Sequence, residues 1–468
     1  MKKIEESTVT AGQELTVVAD GIGVNGEGIA RADGLTVFVP GLLPGEEAVI
    51  KVEVKKRQYA VGRIIKRLSD AAERVEPLCP LFSRCGGCQL QHMDYQAQLA
   101  AKRQNVKDAL QRIGGLGDFD VLPVLGMEAP WYYRNKMQFP VAGGGKPVIG
   151  CFAKGSHQVI DTTTCYIQHE TNNVIARTVR QWMNDCQVPA YQEKAHSGIV
   201  RHVIGRVGVH TGQVMVVIVT NGMELPHQDK LIAALQTALP DLTTVVQNHN
   251  AQKTNVILGR KNTVLFGPGW IEEKLGDLTF RISAHSFFQV NTLQAERLYG
   301  KAAELAGLSG KERVVDAYCG TGTIGLFVSK HCRTVLGVEV VEAAIADAEE
   351  NRLRNGIAAE KASFIAGDAA VVLPKLAKDG QTADVVILDP PRAGCHPDVL
   401  RAVQAFAPER IVYVSCNPAT LARDLALLCE DKYAVKVVQP VDMFPMTMHV
   451  ETVILLQRKN STKCGAGS

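Results

Sequence analysis

Through the first seventy residues the chain keeps a two-residue rhythm, with Ala48, Ile50, Val52 and Val54 set against Val49, Lys51, Glu53 and Lys55, and Gly21, Gly23, Gly26 and Gly28 breaking the runs. Short alternating strands with glycine breaks over residues 13–68 predict a small five-stranded barrel. The period then lengthens. Leu99, Val106, Leu110 and Ile113 recur near helical spacing, and Gly114-Gly115 supplies a stop, so a helix is expected over 95–113. Between 120 and about 284 the signals are mixed: 214–219 and 256–258 read as strands and 229–239 as a helix, an α+β pattern. After Gly310 apolar runs at 313–316, 334–340, 363–366, 384–389 and 411–415 alternate with helical patterns. That alternation predicts a doubly wound, mostly parallel sheet. A last strand is expected over 449–457, followed by a flexible tail.

A chain of 468 residues, 46% apolar, is long enough for about three domains at ~150 residues each. No run approaches the ~18 apolar residues of a membrane helix, and the polar first ten residues lack a signal-peptide stretch. The expectation is a cytoplasmic monomer with no membrane partner. Net charge is only +3, but residues 51–67 hold seven bases against Glu53 alone, whereas residues 1–50 hold eight acids and three bases. Lys55, Lys56 and Arg57 sit in that basic stretch, which makes one side of the barrel a candidate phosphate-binding face.

Candidate chemistry begins at the glycine turn Asp316-Ala317-Tyr318-Cys319-Gly320-Thr321-Gly322. Glycines between a buried strand and a helix let the backbone approach a ligand closely, and the helix start presents free N–H groups. Glu339 ends the next strand, where a carboxylate can accept from two ribose hydroxyls, and Asp368 follows the third strand within reach of an adenine edge. Helix N-capping is the competing reading for each acid, but the three features in order point to an adenosyl ligand. Cys416, in Ser415-Cys416-Asn417-Pro418, stands where a strand ends. In a sheet that holds a methyl donor, a thiolate can add to C6 of a pyrimidine and make C5 nucleophilic. The C5 proton must then leave, and Glu451, an acid inside an apolar strand, is the candidate base. Cys319, Cys332, Cys395 and Cys429 are expected to be packing residues.

Twelve cysteines without a secretory signal favour metal binding or catalysis over disulfides. Cys79, Cys85 and Cys88 form CxxxxxCxxC. Cys165, in a polar turn-like segment, is the expected fourth partner, in preference to Cys151 or Cys186. Four thiolates suit iron–sulfur or zinc equally.

The whole chain resembles the bacterial iron–sulfur RNA uracil-C5 methyltransferases, in particular those acting on 23S ribosomal RNA. The resemblance runs through a TRAM-like barrel, the Cys79–Cys88 loop with Gln89-Leu90-Gln91-His92, Tyr133-Arg134-Asn135-Lys136, Ser286-Phe287-Phe288-Gln289-Val290-Asn291, Asp389-Pro390-Pro391-Arg392, Ser415-Cys416-Asn417-Pro418 and His449-Val450-Glu451. It departs at Met446 and Met448, where other residues are usual. It implies that Gln289, Tyr318, Glu339 and Asp389 contact S-adenosylmethionine, beside Gly320 and Asp368. It further implies that Cys416 is the nucleophile, that Glu451 is the base, and that Cys79, Cys85, Cys88 and Cys165 hold a [4Fe–4S] cluster. The implied organisation is an OB-like TRAM domain over 1–70, a central α+β iron–sulfur domain over 75–94 and 125–283, a Rossmann-like methyltransferase domain over 95–124 and 284–458, and a tail over 459–468. RNA contacts are expected from Lys55, Lys56, Arg57, Arg134 and Lys136, with Phe287 or Phe288 stacking on a displaced base. The expected substrate is a uridine of 23S rRNA. The T-loop uridine of tRNA, a zinc-holding variant and a non-catalytic ribosome-assembly factor are the alternatives.

Overall fold

The computed structural model describes residues 7–117 and 119–459, so the expected tail lies outside the described residues apart from Lys459. Strands Glu14–Ile22, Glu27–Ala32, Leu35–Pro40, Glu47–Lys55 and Tyr59–Arg67 close into a five-stranded barrel. Its filling is the apolar half of the alternation: Val17, Ala19, Ala30, Val37, Val39, Ile50 and Val52 are all buried. Gly28 is required where the chain passes Leu42, since a Cβ there would lie 2.6 Å from the Leu42 carbonyl oxygen.

The middle of the chain builds a seven-stranded sheet in the order Lys261–Phe266, Leu242–His249, Val214–Thr220, Val200–Val207, Lys136–Ala142, Val148–Phe152, Val159–Asp161. Strand Val214–Thr220 is buried along its whole length because each of its faces has its own core. Val214, Val216 and Ile218 pack with the helices Glu170–Asp185 and Gln228–Ala238. Met215, Val217 and Val219 face the hairpin Trp270–Leu275 and Leu278–Ser283 and join the core of the C-terminal sheet. Residues 256–258 are not a strand. Their segment's carbonyls are taken by side chains instead: Asn250 Nδ2 donates to Val256 O at 2.7 Å and Ile257 O at 3.0 Å, and the Arg201 guanidinium to Gln252 O at 2.7 Å.

The C-terminal sheet is ordered Ala362–Ala366, Thr334–Glu339, Arg313–Ala317, Val385–Leu388, Arg410–Ser415, Glu451–Arg458, Tyr433–Val441. The first five strands are parallel, Glu451–Arg458 runs against them, and Tyr433–Val441, antiparallel to Glu451–Arg458, runs with the first five. Chain order reverses between Arg313–Ala317 and Val385–Leu388, and a sheet of this kind takes its ligands at the carboxyl edge beside that switch. Helix Tyr95–Arg112 lies on this sheet: its Val106, Ala109 and Leu110 share a core with Val386, Tyr413 and Leu425. Among the described residues no helix is long and apolar enough to cross a membrane.

Candidate active site

The glycine turn leaves strand Arg313–Ala317 with Tyr318 at φ 65°, Gly320 at 55° and Gly322 at 76°. Three left-handed residues in five bend the chain sharply into helix Thr323–Ser329, and only Tyr318 carries the strain of a side chain. Glu339 faces this turn. One of its oxygens accepts from Gly320 N at 3.2 Å and the other from Val341 N at 2.9 Å, so it is not a helix cap. Asp368 does cap: its Oδ1 accepts from Ala370 N at 2.8 Å at the start of Ala369–Lys378.

Asp389 stands on the other side of the switch, half-buried, and no donor faces its carboxylate among the described residues. Burial pushes its pKa up to about 7. Asp316, below it, is fully enclosed; burial first and the Asp389 charge second raise it to about 8, although its Oδ2 accepts from Gly325 N at 2.8 Å. Gln289 reaches the same space. Its main chain is fixed by Asn135, whose side-chain amide donates to Gln289 O at 3.0 Å and to Thr292 Oγ1 at 2.9 Å. Tyr299, which sequence reasoning passed over, is buried beneath: its hydroxyl meets the Gln289 side chain, and Asp389 and Glu451 are among the charges it senses. As a helix-interior aromatic it gave no signal beyond that of a core residue.

Cys416 is the first residue after strand Arg410–Ser415. Asn417 and Pro418 start the next helix at once, with Asn417 Oδ1 accepting from Ala419 N at 3.1 Å and its Nδ2 donating to Arg392 O at 3.1 Å. The thiol therefore projects at the sheet edge, half-buried, into a cavity of about 390 Å³ with Arg392 and His449. In the antiparallel partner strand Thr452 pairs with Ser415, which sets Glu451 opposite Cys416. Glu451 is buried, and burial followed by the Asp389 charge raises its pKa to about 8, with the Arg392 charge opposing. Burial and then Glu451 raise the Cys416 thiol to about 11, and Arg392 again opposes. Arg392, quoted in its motif but given no role there, supplies the positive charge of the site. Cys332 and Cys395 are buried and Cys429 half-buried, and Cys319, also buried, lies within the glycine turn.

A second cavity, about 880 Å³, shares Arg392 and His449 with the first and runs to the cysteine loop. Cys79, Cys85, Cys88 and Cys165 all line it, and so does Cys151, which the sequence pattern had set aside. Strand Val148–Phe152 brings Cys151 in through the Cys85–Ala153 bridge and the Gly86 N to Phe152 O bond of 3.1 Å, which makes Cys165 and Cys85 its neighbours in the cavity. Among the described residues no three His, Cys, Asp or Glu side chains converge closely enough to hold a single metal ion.

Of the expected RNA contacts, Lys56 and Arg57 are exposed on the turn before Tyr59–Arg67 and Lys55 is half-buried. Arg134 and Lys136 are also half-buried. Burial lowers Lys136 to about 7, with Arg206 and Arg134 adding to the effect. Phe288 is core, its ring centre 6.0 Å from that of Phe280, whereas Phe287 is 70% exposed and free to stack.

A family model described as tRNA (Uracil-5-)-methyltransferase matches residues 226–459, and the TRAM domain model matches residues 8–65. An uncharacterized RNA methyltransferase of Halalkalibacterium halodurans is 45% identical over 97% of this chain and 99% of its own length. Another, of Clostridium tetani, is 47% identical over 93% of this chain and 94% of its own. Among solved structures, the Pyrococcus abyssi tRNA (uracil-54, C5)-methyltransferase in complex with S-adenosyl-L-homocysteine superposes with a TM-score of 0.75 at 28% identity, covering 94% of this chain and 100% of that one.

Proposed function

Since the chain belongs to the RNA uracil-5-methyltransferase family, we propose that it transfers the methyl group of S-adenosylmethionine to C5 of a uridine in 23S rRNA. The observation that carries this reading is the pairing of a thiol with a buried carboxylate across one sheet edge, beside Asp389, to which no group among the described residues donates. Bound S-adenosylmethionine supplies an electrophilic methyl. Glu339 and the Gly320 turn would hold its adenosyl part, and Asp389, Gln289 and Tyr318 its charged end.

The chain's own residues supply the rest. Cys416, as thiolate, adds to C6 of the uracil, and the electron pair of the C5–C6 double bond becomes an enolate. C5 then takes the methyl, breaking the sulfur–methyl bond. Glu451, as carboxylate, takes the C5 proton, and the returning electron pair expels Cys416 from C6. Arg392 favours the two anionic forms this sequence needs. The target base must leave its stack to reach that edge, at a cost of a few kcal/mol. Phe287, Lys56, Arg57 and Arg134 are the groups we assign to repaying it.

We also propose that Cys79, Cys85, Cys88 and Cys165 hold a [4Fe–4S] cluster rather than zinc. The four thiols line one cavity, and the resemblance to the iron–sulfur enzymes favours the cluster over zinc. Iron content and visible absorption of anaerobically purified protein test it.

The likeness to the Pyrococcus enzyme favours a second reading, the same chemistry on tRNA. Mapping 5-methyluridine in both RNAs from a strain lacking the gene decides between them. Loss from 23S rRNA alone supports the first, and loss from tRNA alone overturns it.

A further inference from the structure

Between the last two strands of the C-terminal sheet, residues 442–450 form an irregular strap that leads into Glu451. Met446 is its strained point, at φ 67°, in the left-handed region that side chains other than glycine avoid. What holds it there is the cysteine loop. The Met446 carbonyl accepts from Gln89 N at 2.9 Å and from Leu90 N at 3.0 Å, the two residues directly after Cys88. Its amide donates to Gln98 Oε1 at 3.1 Å, and its Sδ accepts from Gln98 Nε2 at 3.4 Å. The same Gln98 nitrogen donates to Leu90 O at 3.1 Å and Met93 O at 2.8 Å, so one buried glutamine ties loop and strap together.

The strap's far end carries the chemistry. Thr447 Oγ1 accepts from His449 N at 3.2 Å, and His449, flanked by buried residues, is itself exposed where the two cavities meet. Two residues later comes Glu451. The cofactor turn is held elsewhere: Cys319 N donates to Val338 O at 3.0 Å and Gly320 N to the Glu339 carboxylate at 3.2 Å.

We propose that Met446 is a positioning residue: clamped by Gln89, Leu90 and Gln98, it holds His449 and Glu451 at the target base. Opening the cysteine loop then withdraws both and leaves cofactor binding intact. The part that concerns what opens the loop rests on the four-cysteine reading above. The clamp itself does not.

Hydrogen–deuterium exchange followed by mass spectrometry tests this on the full chain, with S-adenosylhomocysteine affinity and the split of kcat from RNA KM measured alongside. The samples are wild type, wild type stripped of iron with ferricyanide and chelator, Gln98→Ala and Met446→Val, whose β-branch is incompatible with the left-handed backbone. In both variants and in the stripped protein, amides of 443–451 should exchange at least tenfold faster. Values of kcat should fall at least tenfold and S-adenosylhomocysteine affinity stay within twofold. Wild-type protection of 443–451 in both variants overturns the clamp, as does parallel loss of S-adenosylhomocysteine affinity. Protection retained in the stripped protein alone overturns the link to the cysteine loop. Protein purified without iron refutes the cluster, and the two variants then decide the clamp by themselves.

Discussion

Glu451 faces Cys416 across two antiparallel strands: Ser415 pairs with Thr452, and the next rung brings the thiol and the carboxylate to the same edge of the sheet. A nucleophile and a base that act on adjacent carbons of one ring need that closeness. Burial raises the pKa of both, with the Asp389 charge adding to it at Glu451 and the Glu451 charge at Cys416, and Arg392 opposes in each case.

Separating the two roles gives the first prediction. Glu451→Gln keeps the shape but cannot take the C5 proton, so methyl transfer should proceed once and stall. Turnover should drop by roughly 10²–10⁴-fold, with a methylated, denaturation-stable protein–RNA species building up on a gel. Turnover within threefold of wild type would remove Glu451 from the mechanism.

Asp389 and Glu451 set the pH dependence. Both carboxyl groups are raised, to about 7 and about 8, so their charged forms accumulate only as pH climbs through those values. A sulfonium should gain from ionised Asp389, while the neutral thioether product should not. Calorimetry should show S-adenosylmethionine binding tighten by up to about tenfold from pH 6 to 8, given that one pKa unit is worth 1.36 kcal/mol, and S-adenosylhomocysteine binding by far less. Equal slopes for the two ligands would speak against Asp389 as the sulfonium's partner.

Gly322→Ala probes the turn. A Cβ there would lie 2.9 Å from the Phe364 ring and 3.1 Å from Ala348 Cβ, on a backbone at φ 76°. We expect a loss of about 1–3 kcal/mol in urea unfolding, with weakened cofactor binding. An unchanged midpoint would mean the turn relaxes freely.

Lys102 and Asp442 form a fully buried ion pair at 2.5 Å between helix Tyr95–Arg112 and the strap, with Tyr95 donating to Asp442 at 2.8 Å. Removing one partner strands the other. Lys102→Met should therefore cost about 3–5 kcal/mol, and combining it with Asp442→Leu should recover part of that. If the double variant is the less stable of the two, the pair contributes more than the avoidance of an unpaired charge.

Much of this architecture is legible in the sequence because period and burial coincide. The barrel's alternation and the five parallel strands each have a single consistent face pattern, and Cys416 with Asn417-Pro418 marks a strand end that the structure has. What escaped did so for physical reasons. Strand Tyr433–Val441 carries a register shift between Val435 and Val437 that breaks its alternation. Residues 256–258 look like a strand but spend their carbonyls on Asn250. Cys151 reads as an apolar strand residue, and only the Cys85–Ala153 bridge reveals that it faces the cysteine cavity. Tyr299 and Lys102 owe their places to long-range packing that local spacing does not carry.

Covalent capture tests the central claim most directly. RNA containing 5-fluorouridine cannot release the C5 substituent, so wild-type protein with S-adenosylmethionine should form a denaturation-stable adduct whose intact mass includes RNA and one methyl group. Cys416→Ser should form none. An adduct that persists in Cys416→Ser, or wild-type protein that makes 5-methyluridine in ordinary RNA yet leaves no trapped species, would contradict the account.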